Sequence, residues 1–242
     1  MTNQNKRVIL ITGASSGIGK ACFDYLTLVG HSVYGTSRRA DGSDPQMLKV
    51  DVTERSTIEH AVQKILDREG ILDVLVNNAG ISIVGAAEET TEEDARRQME
   101  TNFWGAVNVI NAVLPYMRDQ KKGHLINVSS LAGLFAIPYQ VFYTASKHAI
   151  EGYSEGLRME LRQFNIHVSL IEPGDFSTEI SDNREFSGAA SEGRGEYHDH
   201  FVKTKKIIIQ GERDGADVMK IAKLMNRIIQ SPSPGLRYTL GN

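Results

Sequence analysis

A phenol and an ammonium four residues apart are the first chemistry that this sequence offers. Tyr143 and Lys147, in YTASK, fall at i and i+4, so a helix sets them on one face. Side by side, such groups can trade a proton with a bound reactant. A lone Tyr-x-x-x-Lys is a weak signal. Position strengthens this one, because it opens a helical stretch just after an apolar run ending in Ser129-Ser130. The second constellation is Thr12-Gly13-Ala14-Ser15-Ser16-Gly17-Ile18-Gly19, between an apolar run and a helical pattern. Glycines in that setting let the backbone approach a pyrophosphate, whose charge then sits at the helix N-terminus. Spacing excludes two alternatives. A Walker A turn needs glycine where Ala14 stands and Ser or Thr where Ala21 stands, and G-x-G-x-x-G would put its third glycine at Cys22. What remains is G-x-x-x-G-x-G.

NAD sites usually place an acidic residue about 20 residues beyond the glycines, where it accepts from the ribose 2′-hydroxyl. Here the segment is Thr36-Ser37-Arg38-Arg39, with no carboxylate before Asp41. A hydroxyl and a guanidinium fork suit a 2′-phosphate, which a carboxylate would repel. Ser37 and Arg38 therefore favour NADP(H) over NAD, and Ser16 on the glycine turn adds a further contact.

The elements that must position these groups alternate along the chain. VILIT at 8–12 is short, apolar and bounded by glycine, as a strand buried on both faces requires. A helix over 18–29 follows, with Gly30 at its stop. Strand patterns at 32–36, 47–50, 72–77, 124–130, 166–174 and 237–241 alternate with helical ones at 55–69, 92–119, 142–164 and 216–230. Ser56 and Glu59 have capping-box spacing. Such alternation predicts an α/β fold, a doubly wound parallel sheet sandwiched between helix layers. Residues 175–216 break the rhythm and read as a long functional loop. We read one domain, 1–242, with that single excursion.

Composition narrows the function classes. The 242 residues carry 27 Lys+Arg against 30 Asp+Glu, a net charge of −3, which argues against a general nucleic-acid binder. Mean hydropathy is −0.28, and no apolar run approaches the ~18 residues of a membrane helix. One cysteine excludes an internal disulfide and suits a reducing compartment. With no apolar leader after MTNQNKR, a cytoplasmic protein is expected.

Taken together, TGASSGIG at 12–19, NNAG at 77–80, Asn102, Ser130, YTASK at 143–147 and Pro173-Gly174 resemble the short-chain dehydrogenase/reductase family, in its order and spacing, from about residue 6 to 180. The resemblance implies a Rossmann domain, a nicotinamide cofactor and a Ser-Tyr-Lys site for ketone and secondary-alcohol chemistry. Tyr143 would then be the general acid that protonates the nascent alkoxide. A free phenol titrates near pH 10, so bringing it to 7 takes about 4 kcal/mol. An ammonium about 4.5 Å away at an effective dielectric near 20 supplies that much, so Lys147 would suffice. By resemblance Lys147 also holds the nicotinamide ribose, Ser130 bonds the substrate oxygen, and Asn102 anchors a water in the proton path. Gly13, Ser15, Ser16, Gly17, Ile18 and Gly19 would receive the pyrophosphate, Asp51 and Val52 the adenine edge, and Asn78, Ala79 and Gly80 the adenine ribose. Pro173, Gly174 and Thr178 would meet the nicotinamide.

The stretch YTASKHAIEGYSEGLRMELRQFNIHVSLIEPG is most similar to the steroid and retinol dehydrogenase branch, whose members continue past RY-x-x-G with a helix and tail; this sequence stops at Asn242. A smaller ketone or an acyl thioester stays open as substrate, and Phe135, Ile137, Pro138 and Val141 are candidate pocket walls. The resemblance implies a homodimer or homotetramer through the helices at 92–119 and 142–164. The alternative to an NADP(H)-dependent carbonyl reductase or secondary-alcohol dehydrogenase is a non-catalytic nucleotide-sensing module on the same fold. No metal is expected, since His198 and His200 stand alone. Cys22 reads as a small buried residue, Lys203, Lys205 and Lys206 as a solvated face, and Trp104 as core or subunit-interface packing.

Overall fold

Alternating side chains of short apolar strands set the frame. The computed structural model describes residues 6–177, 184–190 and 192–241. Its first half runs β1 (Val8–Ile11), α1 (Gly17–Leu28), β2 (Ser32–Ser37), β3 (Met47–Lys49), α2 (Arg55–Glu69), β4 (Val74–Asn77), β5 (Ile83–Val84), α3 (Glu92–Met99) and α4 (Gly105–Asp119). Its second half runs β6 (Gly123–Val128), α5 (Val141–Leu161), β7 (Ile166–Pro173), β8 (Phe176–Ser177), β9 (Glu185–Phe186), α6 (His198–Arg213), β10 (Ala216–Asp217), α7 (Met219–Gln230) and β11 (Arg237–Leu240). Seven parallel strands make one sheet in the order β11-β7-β6-β4-β1-β2-β3. The expected doubly wound α/β sheet is therefore present.

Successive residues of β1 serve opposite faces. Val8 and Leu10 join a core with residues of α2, α4 and α5, while Ile9 and Ile11 join one with residues of α1 and α7. Each large aliphatic side chain taken wholly out of water contributes about 1.5–3 kcal/mol. The chain winds outward in both directions from the gap between β1 and β4. Ligands of such sheets bind at the carboxyl ends of the strands flanking that switch. Gly13 follows β1 there, and Asn78 follows β4.

Three expectations change. The helix predicted over 92–119 is interrupted by a π turn, Glu100–Trp104, closed by the Gly105 N–H to the Glu100 carbonyl. Glycine at 105 fits close packing, since a Cβ there would lie 2.6 Å from Val52 Cγ2. The second helix starts one residue before Ser56, with Glu54 at its cap and no side-chain cap bond. Thr57 closes that turn instead, its hydroxyl 2.9 Å from the Asp51 carbonyl and 2.8 Å from that of Glu54. The excursion at 175–216 is not one loop, for it holds α6. It is tied down by parallel pairing of β9 with β5 and of β10 with β8. The last helix correspondingly begins at Met219 rather than 216. Among the described residues no helix is long and apolar enough to cross a membrane.

Candidate active site

The glycine turn is clamped by the segment after β4. Thr12 Oγ1 accepts from the backbone N–H of Asn78 and of Ala79, each at 3.0 Å. Asn78 Nδ2 returns bonds to the carbonyls of Thr12 and Gly13, both 3.0 Å. Gly13 has φ +65°, and a Cβ on it would meet Ala79 Cα at 2.8 Å. A Cβ on Gly19 would overlap the Gly13 carbonyl and the Asn78 amide. Only glycine allows these backbones to meet.

The helix behind the turn fits a phosphate. Ser16 caps α1 in an extended conformation without donating or accepting a side-chain cap bond, and the first turn of α1 holds no acid. Its leading N–H groups, with the positive end of the helix dipole, thus face outward for an anion. At the end of β2, Ser37 is buried and its hydroxyl accepts from the Arg39 N–H at 3.2 Å. Arg38 and Arg39 are exposed, and neither is in an ion pair among the described residues. Asp51 is half-buried, with Oδ1 occupied by the Thr53 N–H at 3.0 Å and hydroxyl at 2.7 Å. Val52 is buried against Gly105. Gly80 approaches Asn102, whose Oδ1 would lie 3.2 Å from a Cβ there.

Asn102 sits in the π turn and is fully used as a brace. Its Oδ1 accepts from the Ile81 N–H at 2.8 Å, and its Nδ2 donates to the Ile81 carbonyl and to Ser146 Oγ at 3.0 and 3.1 Å. The Ser146 hydroxyl donates to the Tyr143 carbonyl at 2.7 Å. A polar chain therefore ties the π turn to the tyrosine turn of α5. Ser146 was not singled out from sequence, although a serine three residues after the tyrosine is placed for such a back-bond.

Ser130, Tyr143 and Lys147 converge at the carboxyl end of β6. Ser130 caps the short turn Leu131–Gly133, its Oγ accepting from the Ala132 N–H at 3.1 Å. Lys147 is buried, donates from Nζ to the Val128 carbonyl at 2.9 Å and lies 5.6 Å from the Tyr143 ring centroid. Burial pushes its pKa down to about 8, opposed by Glu151. Burial also pushes the Tyr143 phenol up, against a hydrogen bond with Ser130 and the charge of Arg184. Burial is the largest influence on the phenol, and Glu212 adds to it.

Gly174 follows β7 and is pinned by its N–H to the Leu240 carbonyl at 2.8 Å, while Pro173 ends the strand. Thr178 lies outside the described residues. Phe135, Pro138 and Val141 are exposed and Ile137 half-buried. A pocket against α6 is lined by Val84, Tyr139, Arg184, Phe201, Lys205 and Ile208, among others. His200 is on the first turn of α6, 2.6 Å by Nδ1 from the Tyr139 hydroxyl. Cys22 is buried as expected, its thiol pushed up to about 12. Lys205 is not part of a solvated face, since its Nζ lies 3.9 Å over the Phe186 ring. Trp104 is not core: it is 50 % exposed, edge-on to Phe103.

The pattern for "short chain dehydrogenase" matches residues 7–187. A protein of Bacteroides thetaiotaomicron named 3-ketodihydrosphingosine reductase is 46% identical over 237 residues, covering 97% of this chain and 88% of its own. A solved short-chain dehydrogenase from Streptomyces avermitilis superposes with a TM-score of 0.88 at 33% identity, covering 100% of this chain and 90% of that one. ElxO, solved with NADP bound, gives 0.79 at 25% identity over 97% of this chain and 96% of its own. A nicotinamide cofactor is supported by that neighbour and by the free N-terminus of α1. With a match of that extent laid over this site, the chain belongs to the short-chain dehydrogenase family.

Proposed function

We propose that this protein is an NADPH-dependent reductase of a long-chain amino ketone, with Tyr143 as proton donor. The observation that carries the reading is the convergence of Ser130, Tyr143 and Lys147 at the carboxyl end of β6, on the sheet edge where the glycine turn opens. A phenol in its acid form is suited to reduction, in which an alkoxide must be protonated. A bound nicotinamide supplies the hydride. Ser130 donates a hydrogen bond to the carbonyl oxygen and stabilises the charge that develops on it. Lys147, anchored on the Val128 carbonyl, holds a positive charge beside the phenol as the proton leaves. Asn102, through Ser146, fixes the helical turn that carries Tyr143. The exposed guanidinium of Arg38, with Ser37 and Ser16, supports NADPH as the cofactor form.

The substrate class is drawn from the name of the 46% identical reductase, 3-ketodihydrosphingosine being a long-chain ketone with an amine on the carbon next to the carbonyl and a hydroxyl on the carbon beyond. The test is NADPH oxidation with 3-ketodihydrosphingosine, for the parent and Tyr143→Phe. The phenylalanine variant should lose about 10²–10⁴-fold in kcat, the usual worth of a positioned general acid. A variant that turns over like the parent would refute the assignment. Tight NADPH binding by a parent inert on a broad ketone panel would favour a nucleotide sensor instead.

A further inference from the structure

The far side of Lys147 carries a buried carboxylate that the chemistry just described leaves unused. Glu151 lies one turn beyond Lys147 on α5, as Lys147 lies one turn beyond Tyr143, so the three share a helix face. Lys147 and Glu151 are both buried. Their side chains serve neighbouring residues at the end of β6: Lys147 donates to the Val128 carbonyl, and Glu151 is set against Ser129. The turn Leu131–Gly133 closes over them. A Cβ on Gly133 would lie 2.6 Å from Ser129 Oγ, 3.1 Å from Glu151 Cγ and 3.2 Å from the Lys147 carbonyl.

A buried carboxylate needs partners to stay charged. Glu151 Oε2 accepts from Arg237 Nε on β11 at 3.0 Å. That guanidinium also meets Glu155 on α5 at 2.7 Å and Glu172 on β7 at 3.2 Å. The Thr239 hydroxyl holds Glu172 in turn, at 2.6 Å. Burial raises the Glu151 carboxyl against Ser129, and Glu172 adds to the rise while Arg237 opposes it. Around Lys147 itself, burial pulls the ammonium down and Glu151 opposes that pull. Arg184 and Glu212, from the α6 side, bear on Tyr143 rather than on the lysine. His148 is exposed and turned to the Thr144 carbonyl. We infer that Glu151, clamped by Arg237 of the last strand, is a positioning residue for the reaction, its carboxylate holding Lys147 in the ammonium form that Tyr143 needs as its proton leaves. This rests on the reading of Tyr143 as proton donor. The four-residue spacing is visible in YTASKHAIE, whereas the Arg237 partnership, 86 residues away, is made only by folding.

The test is an NMR titration of the Lys147 side chain in protein carrying isotope-labelled lysine, its signal identified by its absence from Lys147→Met. In the parent it should titrate at about 8. Glu151→Gln should bring the midpoint down by about one unit or more, the usual effect of losing an opposite charge at this range. Glu151→Asp, which restores the charge, should return it toward the parent, and Glu155→Gln should leave it in place. Where Gln at 151 does not fold, Glu151→Met removes the charge without needing a partner. The basic limb of kcat for NADPH and 3-ketodihydrosphingosine should move with the midpoint, a loss of about fivefold or more at pH 8. A lysine that titrates alike in parent and Glu151→Gln overturns the inference and leaves Glu151 as a brace between α5 and β11. A midpoint that moves while the kcat profile of an active enzyme stays put overturns instead the proton-donor reading, in which the ammonium supports Tyr143.

Discussion

Replacing Lys147 by methionine should yield a protein that is more stable and nearly inactive. The folded lysine is 8 % exposed, and burial takes its pKa from 10.5 to about 8. Folding therefore penalises the charged form. Above pH 10.5 the group is neutral in both states and the penalty is absent. As pH falls toward 8 the unfolded chain takes up the proton first, the penalty grows, and below about 8 it is constant. At about 1.36 kcal/mol per pKa unit, the full penalty is about 3 kcal/mol. Methionine fills similar volume but forfeits the bond to the Val128 carbonyl, about 1 kcal/mol. The net gain at pH 7 is about 2 kcal/mol, or about 4–8 °C in Tm for a chain of this size. Calorimetric melts of both proteins at pH 7 and pH 10 measure it, and the gain should vanish at the higher pH. NADPH turnover, measured alongside, should fall at least about a hundredfold. A variant less stable than the parent at pH 7, or a gain that persists at pH 10, would refute the reasoning.

Arg38→Asp should raise the KM for NADPH about 10- to 100-fold and improve NADH, because a charge-assisted bond is replaced by repulsion; an unchanged NADPH titration argues against a 2′-phosphate contact. Asn102→Ala removes three bonds at the π turn, so Tm should drop by about 5–10 °C and kcat with it; a melt within a degree of the parent counts against the brace. Cys22, buried and with its thiol pushed up to about 12, should resist a disulfide reagent at pH 8 until the protein is denatured. Rapid modification of the native protein would contradict that burial.

The sheet was legible because its strands are buried on both faces and read as unbroken apolar runs. The glycine turn and the Tyr143–Lys147 helix were legible because their spacing is local. What escaped has physical reasons. In α6 only Phe201 is buried, so no apolar stripe marks a helix. The π turn is hidden because apolar positions continue at helical spacing through 100–119. Ser56 looked like a cap, but the Thr57 hydroxyl holds that turn. Arg184 and Glu212 are joined only by folding, and the direction of the Tyr143 shift depends on how deeply the phenol is enclosed.

The π turn at Glu100–Trp104 also carries a reading frame. One surplus residue in a helix rotates everything downstream by about 100° from an unbroken helix. Here it lets Asn102 address Ile81 and α5 while Val109, Ile110, Val113 and Met117 of α4 enter the core. Loss of a single codon within 100–104 would offer the backbone a more regular helix, yet would force a choice between these two orientations. Substitutions in this segment are local events; a length change is not.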